Sequence, residues 1–482
     1  MAGRDVFIPQ DFIKVLREHV AGFGEESERD QWGMAWMVWD GVQKRRQHRT
    51  DAGAMSYSAQ EQDELFGRGR FQSLHRRIDL FQRSPGWSSR DGTTRAYWFS
   101  AQVRQALDAY AARPSTGPVN LLWLSGESMK VVTSLPRAVS STDTNGRTTS
   151  TAYWDRAKGM NKVPVNNKML DSLHLWLEAC LRRPDGVEGP LRQFVERLRG
   201  MTVRFISMSN TTLAGPGHIP QVYSIAPTGR LYARGLNLQN APGLIKEAAL
   251  HGLWEYDFSN CHFTIVSQMA AKVGVRCPCI EHYMANKAKV RQAVADGASI
   301  SLDQAKQCLL ALLYGARASA RRKDAIPSAI GLDAAGRLYA LPVFRALSAE
   351  ITHARGEILG KWPRTANGSL TNACGKAIMG RAKPTEQLAH LVQGVEVMAL
   401  MTIVNLHAED IVLLQHDGFT ASRRLDRVVL EERLLRELDY RLMVEERQLE
   451  LHPDARARRI RMKSEMAREA APDIGFHSVI AD

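Results

Sequence analysis

The period of the apolar positions changes several times along this chain, and the changes mark its elements. Leu253, Trp254, Tyr256 and Phe258 form an apolar-aromatic run broken only by acids, the pattern of a buried strand. Directly after it, Phe263, Val266, Met269 and Ala270 recur at helical spacing, with Ser259 and Asn260 as N-cap candidates. Asp257 is therefore expected at a strand-to-helix junction. Further on, Lys306, Leu309, Leu310, Leu313 and Tyr314 follow helical spacing, and Gly315 is the expected end. Lys306 and Tyr314 are eight positions apart, so they share nearly one helix face about two turns from each other. His390–Leu406 reads as an apolar helix with Gln393-Gly394 near its start. Ile411–Leu414 reads as a buried strand, His416-Asp417-Gly418 as a turn and Phe419–Ala421 as the returning arm. Asp417 is thus a second carboxylate, at the tip of a hairpin.

The flanking regions are read more coarsely. Residues 1–112 are expected to be mostly helical, with Gly67–Arg83 a basic amphipathic helix burying Phe71, Leu74, Ile78 and Phe81. Asp91-Gly92 is a tight-turn signal between short strand-like arms, and AQVRQALDAYAA is a following helix. Helix, basic hairpin and helix in that order fit a winged-helix nucleic-acid-binding unit. They fit an ordinary helical cap equally well, and the residues leave both open. Residues 113–215 are expected to be a Ser/Thr/Gly/Pro-rich linker with a hairpin at Asn145-Gly146, then helices at Met169–Arg183 and Pro190–Arg199 and a strand at Thr202–Met208. Residues 216–452 carry the chemistry, and 453–482 form a basic tail, expected as a surface helix.

Composition narrows the class. Hydrophobic content of 44% fits a folded globular chain, and no apolar run is expected to span a bilayer. With no apolar signal segment and six scattered cysteines, a reduced, cytoplasmic setting is expected. A net charge of +13 favours a polyanionic partner, nucleic acid first.

Two aspartates converging from separate strands can hold two Mg²⁺ ions for nucleotidyl transfer. A lysine with an aromatic further along one helix face can hold a triphosphate and stack a base. These pieces occur in the order TGRL…NLQNAP, DFSNCHFTIVSQMA, K…YG, VQG and QHDGF. In that order and spacing the region Gln221–Leu451 resembles the family A DNA polymerases, the group of bacterial DNA polymerase I. It is similar, more distantly, to phage-type single-subunit RNA polymerases.

The resemblance implies an α+β right-hand fold: an antiparallel palm sheet, helical fingers and a small helical thumb. It implies that Asp257 and Asp417, with the Phe258 carbonyl, hold two Mg²⁺ ions. Lys306 would contact the triphosphate and help protonate pyrophosphate, Tyr314 would stack near the nascent pair, and Gly315 would leave room for the template base. Arg230, Asn237, Gln239 and Gln393 would contact primer and template, with His416 at the primer end. His282 would bind phosphate; Cys277, Cys279 and His282 also spell C-x-C-x2-H, but three ligands without a fourth nearby make a poor zinc signature.

The departures from the family pattern carry information too. Leu302 stands where the fingers helix of the family has arginine, so Arg317 or Arg321 would have to assist the triphosphate. Leu310 replaces an aromatic, as in the RNA polymerases. His262 replaces the Glu that screens the sugar 2′ position, and Gly418 replaces an acid after the second aspartate. Upstream of TGRL no acidic pattern of a 3′–5′ exonuclease is found. The expected function is therefore primer-dependent, template-directed DNA synthesis from deoxynucleoside triphosphates without proofreading. An RNA polymerase or primase on the same palm is the first alternative. A DNA-binding replication factor whose palm has lost activity is the second.

Overall fold

The computed structural model describes residues 6–43, 55–57, 59–83, 96–112, 121–125, 128–132, 160, 162–183, 187–209, 217–234, 236–378 and 380–470. Among these, the buried apolar side chains gather into three clusters, and each cluster has its own reason to form.

The amino-terminal cluster is aromatic, with Phe12, Trp39, Phe71, Phe81 and Tyr97 fully enclosed. It is helical as expected, but it also holds two small antiparallel sheets. Met55–Ser56, Ala96–Phe99 and Phe81–Arg83 make one of them. The other pairs Val6–Pro9 with Leu121–Ser125, which in turn pairs with Ser128–Val132. This pairing ties residues beyond 112 to the amino terminus. The helix expected over Gly67–Arg83 is only Arg70–Arg77: Ile78 turns extended, and Phe81–Arg83 joins the sheet instead. The strand pairing gives Phe81 a buried place that a continuing helix would not. Helix, two paired strands and the helix Ala101–Ala112 do follow one another in the expected order. The Asp91-Gly92 and Asn145-Gly146 turns lie outside the described residues.

The second cluster is organised by two helices, α1 (Asn167–Arg182) and α2 (Gly189–Ser209). Asn166 caps α1, its side chain accepting from the Met169 N–H at 3.0 Å. The strand expected at Thr202–Met208 is instead the end of α2. Its residues Thr202, Phe205 and Met208 continue the buried stripe begun by Phe194, Val195, Leu198 and Met201. Helical spacing over the whole segment overrides the local β-branched run.

The third and largest cluster surrounds the sheet. Strand β1 (Trp254–Phe258) is followed by α3 (Cys261–Lys272), α4 (Leu302–Leu313) and α5 (Pro384–Leu406). Strands β2 (Ile411–Leu414), β3 (Gly418–Ala421) and β4 (Val444–Gln448) complete an antiparallel sheet of order β2-β3-β1-β4. Tyr256 and Phe419 face each other across β1 and β3 with rings 4.9 Å apart, filling the core beneath the sheet. The described residues are thus mainly helical, with small antiparallel sheets. Helix α5 is long and apolar enough to cross a membrane, contrary to the expectation from the sequence, but 89% of its apolar window is buried inside the protein.

The basic tail forms α6 (Ala455–Ala470), and it is more than a surface helix. Met462 is fully buried, and Glu465 accepts from the Leu244 N–H at 2.8 Å. Burial pushes the Glu465 carboxyl up to about 7. Its folded value lies above its unfolded one, so below about pH 4.5 it imposes no penalty, and the penalty is complete above about 7. Wild type should therefore lose on the order of 1–3 kcal/mol as pH rises through this window. Glu465→Gln should melt higher than wild type at pH 8 and alike at pH 4.5; parallel melting curves against pH would contradict the assignment.

Candidate active site

Asp257 lies at the end of β1, and the register sets it directly opposite Gly418 on β3 and Glu445 on β4. The Phe258 N–H donates to the Asp417 carbonyl at 2.9 Å, which clamps the hairpin turn against the end of β1. The two aspartates are neighbours for that reason. Gly418 makes the clamp possible. A Cβ there would lie 2.3 Å from the Tyr256 carbonyl and 3.3 Å from an Asp257 carboxylate oxygen. Glycine after Asp417 is a packing requirement of this sheet.

The carboxylates of Asp257 and Asp417 make no hydrogen bond or ion pair with the described residues. Their neighbours are handled differently. Glu255, two positions before Asp257 and on the same sheet face, accepts from Gln415 at 2.9 Å and from Arg447 at 2.8 Å. Glu445 accepts from Ser259 at 2.5 Å and Lys287 at 2.7 Å. These bonds and cations hold both glutamates below the usual carboxylate range, in Glu255 against the opposing effect of burial. Asp257 goes the other way. Desolvation by the cleft walls, then the charges of Asp417 and Glu255, raise its carboxyl well above the ordinary value, while Lys306 pulls it partly back. The site has more negative charge than the protein itself balances, and its donors are all oxygen, which fits a hard divalent cation.

Basic side chains stand on α4 and the loop after it, and of these the Lys306 charge reaches Asp257. Ser301 and Gln304 form a capping box that fixes the start of α4, and Lys306 stands exposed one turn later without an ion pair among the described residues. Arg317 and Arg321 are exposed as well, and Arg317 is close enough to Arg355 to depress it beyond the effect of burial. Tyr314 ends the helix, half-buried, and meets the His262 ring edge-on at 5.4 Å. Gly315 takes φ +87°, and a Cβ on it would come 2.2 Å from the Thr385 side chain at the start of α5. Its glycine is accounted for by a left-handed turn and a close approach between segments.

A residue the sequence reading missed organises the inner wall. Glu396 is the single acid in the apolar run of α5, it is fully buried, and it ion-pairs with Arg230 and with His262. Arg230 Nε donates to it at 2.7 Å, and His262 Nε2 lies 2.5 Å from its carboxylate and 2.8 Å from Arg230. That single ring nitrogen cannot accept from Arg230 and donate to Glu396 at once, so its tautomer chooses between them. Burial alone would raise the Glu396 carboxyl; the Arg230 charge and the hydrogen bonds reverse this and hold it at about 2. A charged residue alone in an apolar helix was the available sequence signal.

The thiol of Cys261 lies near His262 and Glu396, making a Cys-His-Glu group with metal-like spacing. Its chemistry argues against a metal there. Burial raises the Cys261 thiol, a guanidinium already neutralises Glu396, and a cation beside Arg230 would be repelled. Cys277, Cys279 and His282 do not form a metal group among the described residues: Cys277 is buried, the Cys279 N–H donates to Glu350, and His282 is exposed on the helix Pro278–Ala285.

The side chains expected at primer and template behave as scaffold in this conformation. Arg230 is committed to Glu396. Asn237 donates to the Ala233 carbonyl, and Gln239 donates to the carbonyls of Leu231 and Leu414, knitting the NLQN loop to the sheet. Gln393 is buried with its Oε1 atom unpartnered, and His416 packs on Tyr232 at 4.7 Å.

No family model matches the chain. A stretch of 89 residues is 34% identical to a Sputnik virophage protein described as "Putative helicase V13", covering 18% of this chain and 11% of that protein. The match thus spans about a tenth of the relative's length.

Two predictions follow from the two acid clusters. Because the folded-state value of Asp257 is raised, its ionisation penalises the metal-free fold increasingly as pH rises above the ordinary carboxylate value. Asp257→Asn should therefore raise the melting temperature in EDTA at pH 8, and Mg²⁺ should stabilise wild type but not the variant; equal Mg²⁺ responses would sink the cation site. Glu396→Ala strands a buried guanidinium and should cost about 3–5 kcal/mol in denaturant unfolding, against under 1 kcal/mol if the pair were dispensable.

Proposed function

We propose that the chain is a template-directed DNA polymerase, extending a primer 3′-hydroxyl with deoxynucleoside triphosphates. The observation that carries this reading is the pair Asp257 and Asp417: neighbours through the Phe258–Asp417 backbone bond, with carboxylates that have no hydrogen bond or ion pair among the described residues, and with the charge of the exposed Lys306 reaching Asp257. When bound, two Mg²⁺ ions would supply activation of the attacking hydroxyl and neutralisation of charge on the phosphates. Asp257 and Asp417 would hold them. Lys306 would bind the triphosphate and deliver a proton to the departing pyrophosphate, with Arg317 and Arg321 as further anion contacts. The net charge of +13 suits a nucleic-acid substrate. Holding substrates and ions in fixed register supplies most of the catalysis such a site needs.

His262, braced by Glu396 and packed on Tyr314, is the proposed sugar gate. Its bulk, fixed from behind by a buried ion pair, would meet a ribose 2′-hydroxyl. The helicase description of the virophage protein does not transfer readily. Helicase phosphate loops carry Gly-Lys followed by Ser or Thr, and the Gly-Lys pairs here, at Gly360 and Gly375, are followed by Trp362 and Ala377.

Primer extension on a defined template with Mg²⁺, comparing deoxynucleotides and ribonucleotides, tests the proposal. Extension with deoxynucleotides is expected. Asp257→Ala and Asp417→Ala should each lower it by at least about a thousandfold while binding primer-template within about twofold of wild type. Synthesis restricted to ribonucleotides, or normal turnover in either variant, would overturn it. His262→Gly should raise ribonucleotide incorporation, and unchanged sugar selectivity would remove His262 as the gate.

A further inference from the structure

Away from the carboxylates, a cavity of about 330 Å³ opens between the amino-terminal helices and the pair α1 and α2. Its size falls within the roughly 300–1,000 Å³ range of small-molecule sites. Six arginines line it: Arg104, Arg182, Arg192, Arg197, Arg199 and Arg204. Two acids, Asp108 and Glu196, line it as well, and Trp39, Trp98, Phe99 and Tyr110 add an aromatic side.

Most of these guanidiniums are spoken for. Arg182 and Arg199 pair with Glu178, Arg199 also with Asp108, Arg192 with Glu196, and Arg197 with Glu469. Two are not. Arg104 is exposed at the rim and has no carboxylate partner among the described residues. Arg204 is 1% exposed, and its guanidinium rests 3.9 Å above the Trp39 ring. Among the described residues it donates to two backbone carbonyls, those of Trp39 and Val38, and its Nε has no partner. A guanidinium this buried, with no carboxylate at ion-pair distance among the described residues, is costly to keep, although the charge of the nearby buried Asp40 offsets part of the burial. Its neighbours on the cavity wall form a fork-and-aromatic surface suited to a phosphate joined to a flat ring.

We propose that this cavity binds a nucleoside phosphate, the phosphate held between Arg204 and Arg104 and the base against the half-buried Trp98. The ligand is either a free nucleotide or the 5′-phosphorylated end of a strand, which share that chemistry. The site is separate from the carboxylate cleft and does not depend on the polymerase reading.

Equilibrium binding to the full chain in EDTA, read by tryptophan fluorescence, tests this with three probes: ADP, 5′-phosphorylated dT8, and dT8 with a 5′-hydroxyl. ADP or phosphorylated dT8 should bind at least about tenfold tighter than the hydroxyl oligonucleotide, and Arg104→Gln and Arg204→Met should each lower that affinity by about tenfold. Preference for ADP identifies a free nucleotide, and preference for phosphorylated dT8 a strand end; either supports the site. Arg104 is exposed, so Arg104→Gln decides the matter if Arg204→Met fails to fold. Equal binding of the two oligonucleotides with no binding of ADP would overturn the proposal. So would binding that Lys306→Ala abolishes and Arg104→Gln leaves unchanged.

Discussion

The pairing of β1 with β3 is the constraint on which the rest of the site depends. One backbone hydrogen bond, from the Phe258 N–H to the Asp417 carbonyl, sets the hairpin turn beside the end of β1. Because side chains alternate along a strand, a slip of one residue would send Asp257 into the core and Tyr256 out to the cleft. The stacked Tyr256 and Phe419 make that slip expensive, and the contact of Gly418 with the Tyr256 carbonyl makes any other residue at the turn expensive. Core packing on one face of the sheet therefore fixes the geometry of the carboxylates on the other.

The elements nearest the chemistry were the most legible in the sequence, for a physical reason. Strand β1, helix α3, helix α4 and the β2–β3 hairpin each carry an unbroken period with a clear stop, so local pattern and final burial agree. Thr202–Met208 failed because its β-branched residues spell a strand locally while its apolar stripe belongs to a longer helix. Gly67–Arg83 failed in the opposite sense: its helical stripe is real for two turns, and then pairing with Ala96–Phe99, distant in sequence, takes Phe81. The pairing of Val6–Pro9 with Leu121–Ser125 is longer in range still, and no local pattern announces it.

Within the site, positions were easier to read than partners. Asp257, Asp417 and Lys306 stand where strand, turn and helix patterns put them. The internal commitments of Arg230, Asn237 and Gln239 were hidden, because a polar loop reads alike whether its amides face a ligand or a neighbouring carbonyl. Glu445 was hidden for a related reason. Its closeness to Asp257 comes from the β1–β4 register, between segments far apart in the chain. Only the fold could show that this acid is paired with Lys287 and hydrogen-bonded by Ser259 while the aspartate beside it has no partner among the described residues.

That contrast separates the two acid clusters that flank the start of α3. At Glu396 the fold supplies a guanidinium and an imidazole, and the carboxyl is held far down; nothing remains for a metal to do, although cysteine, histidine and glutamate stand at ligand-like spacing. At Asp257 the described residues offer no hydrogen-bond or ion-pair partner and place acids around it, and the carboxyl is driven up. Repulsion between like charges in a cleft is relieved when a cation from outside binds there. Spacing alone would favour the first cluster as a cation site, whereas partner satisfaction favours the second, the site proposed above. Electrostatic incompleteness, more than the identity of the side chains, is what supports Asp257 and Asp417 as the proposed ligand pair.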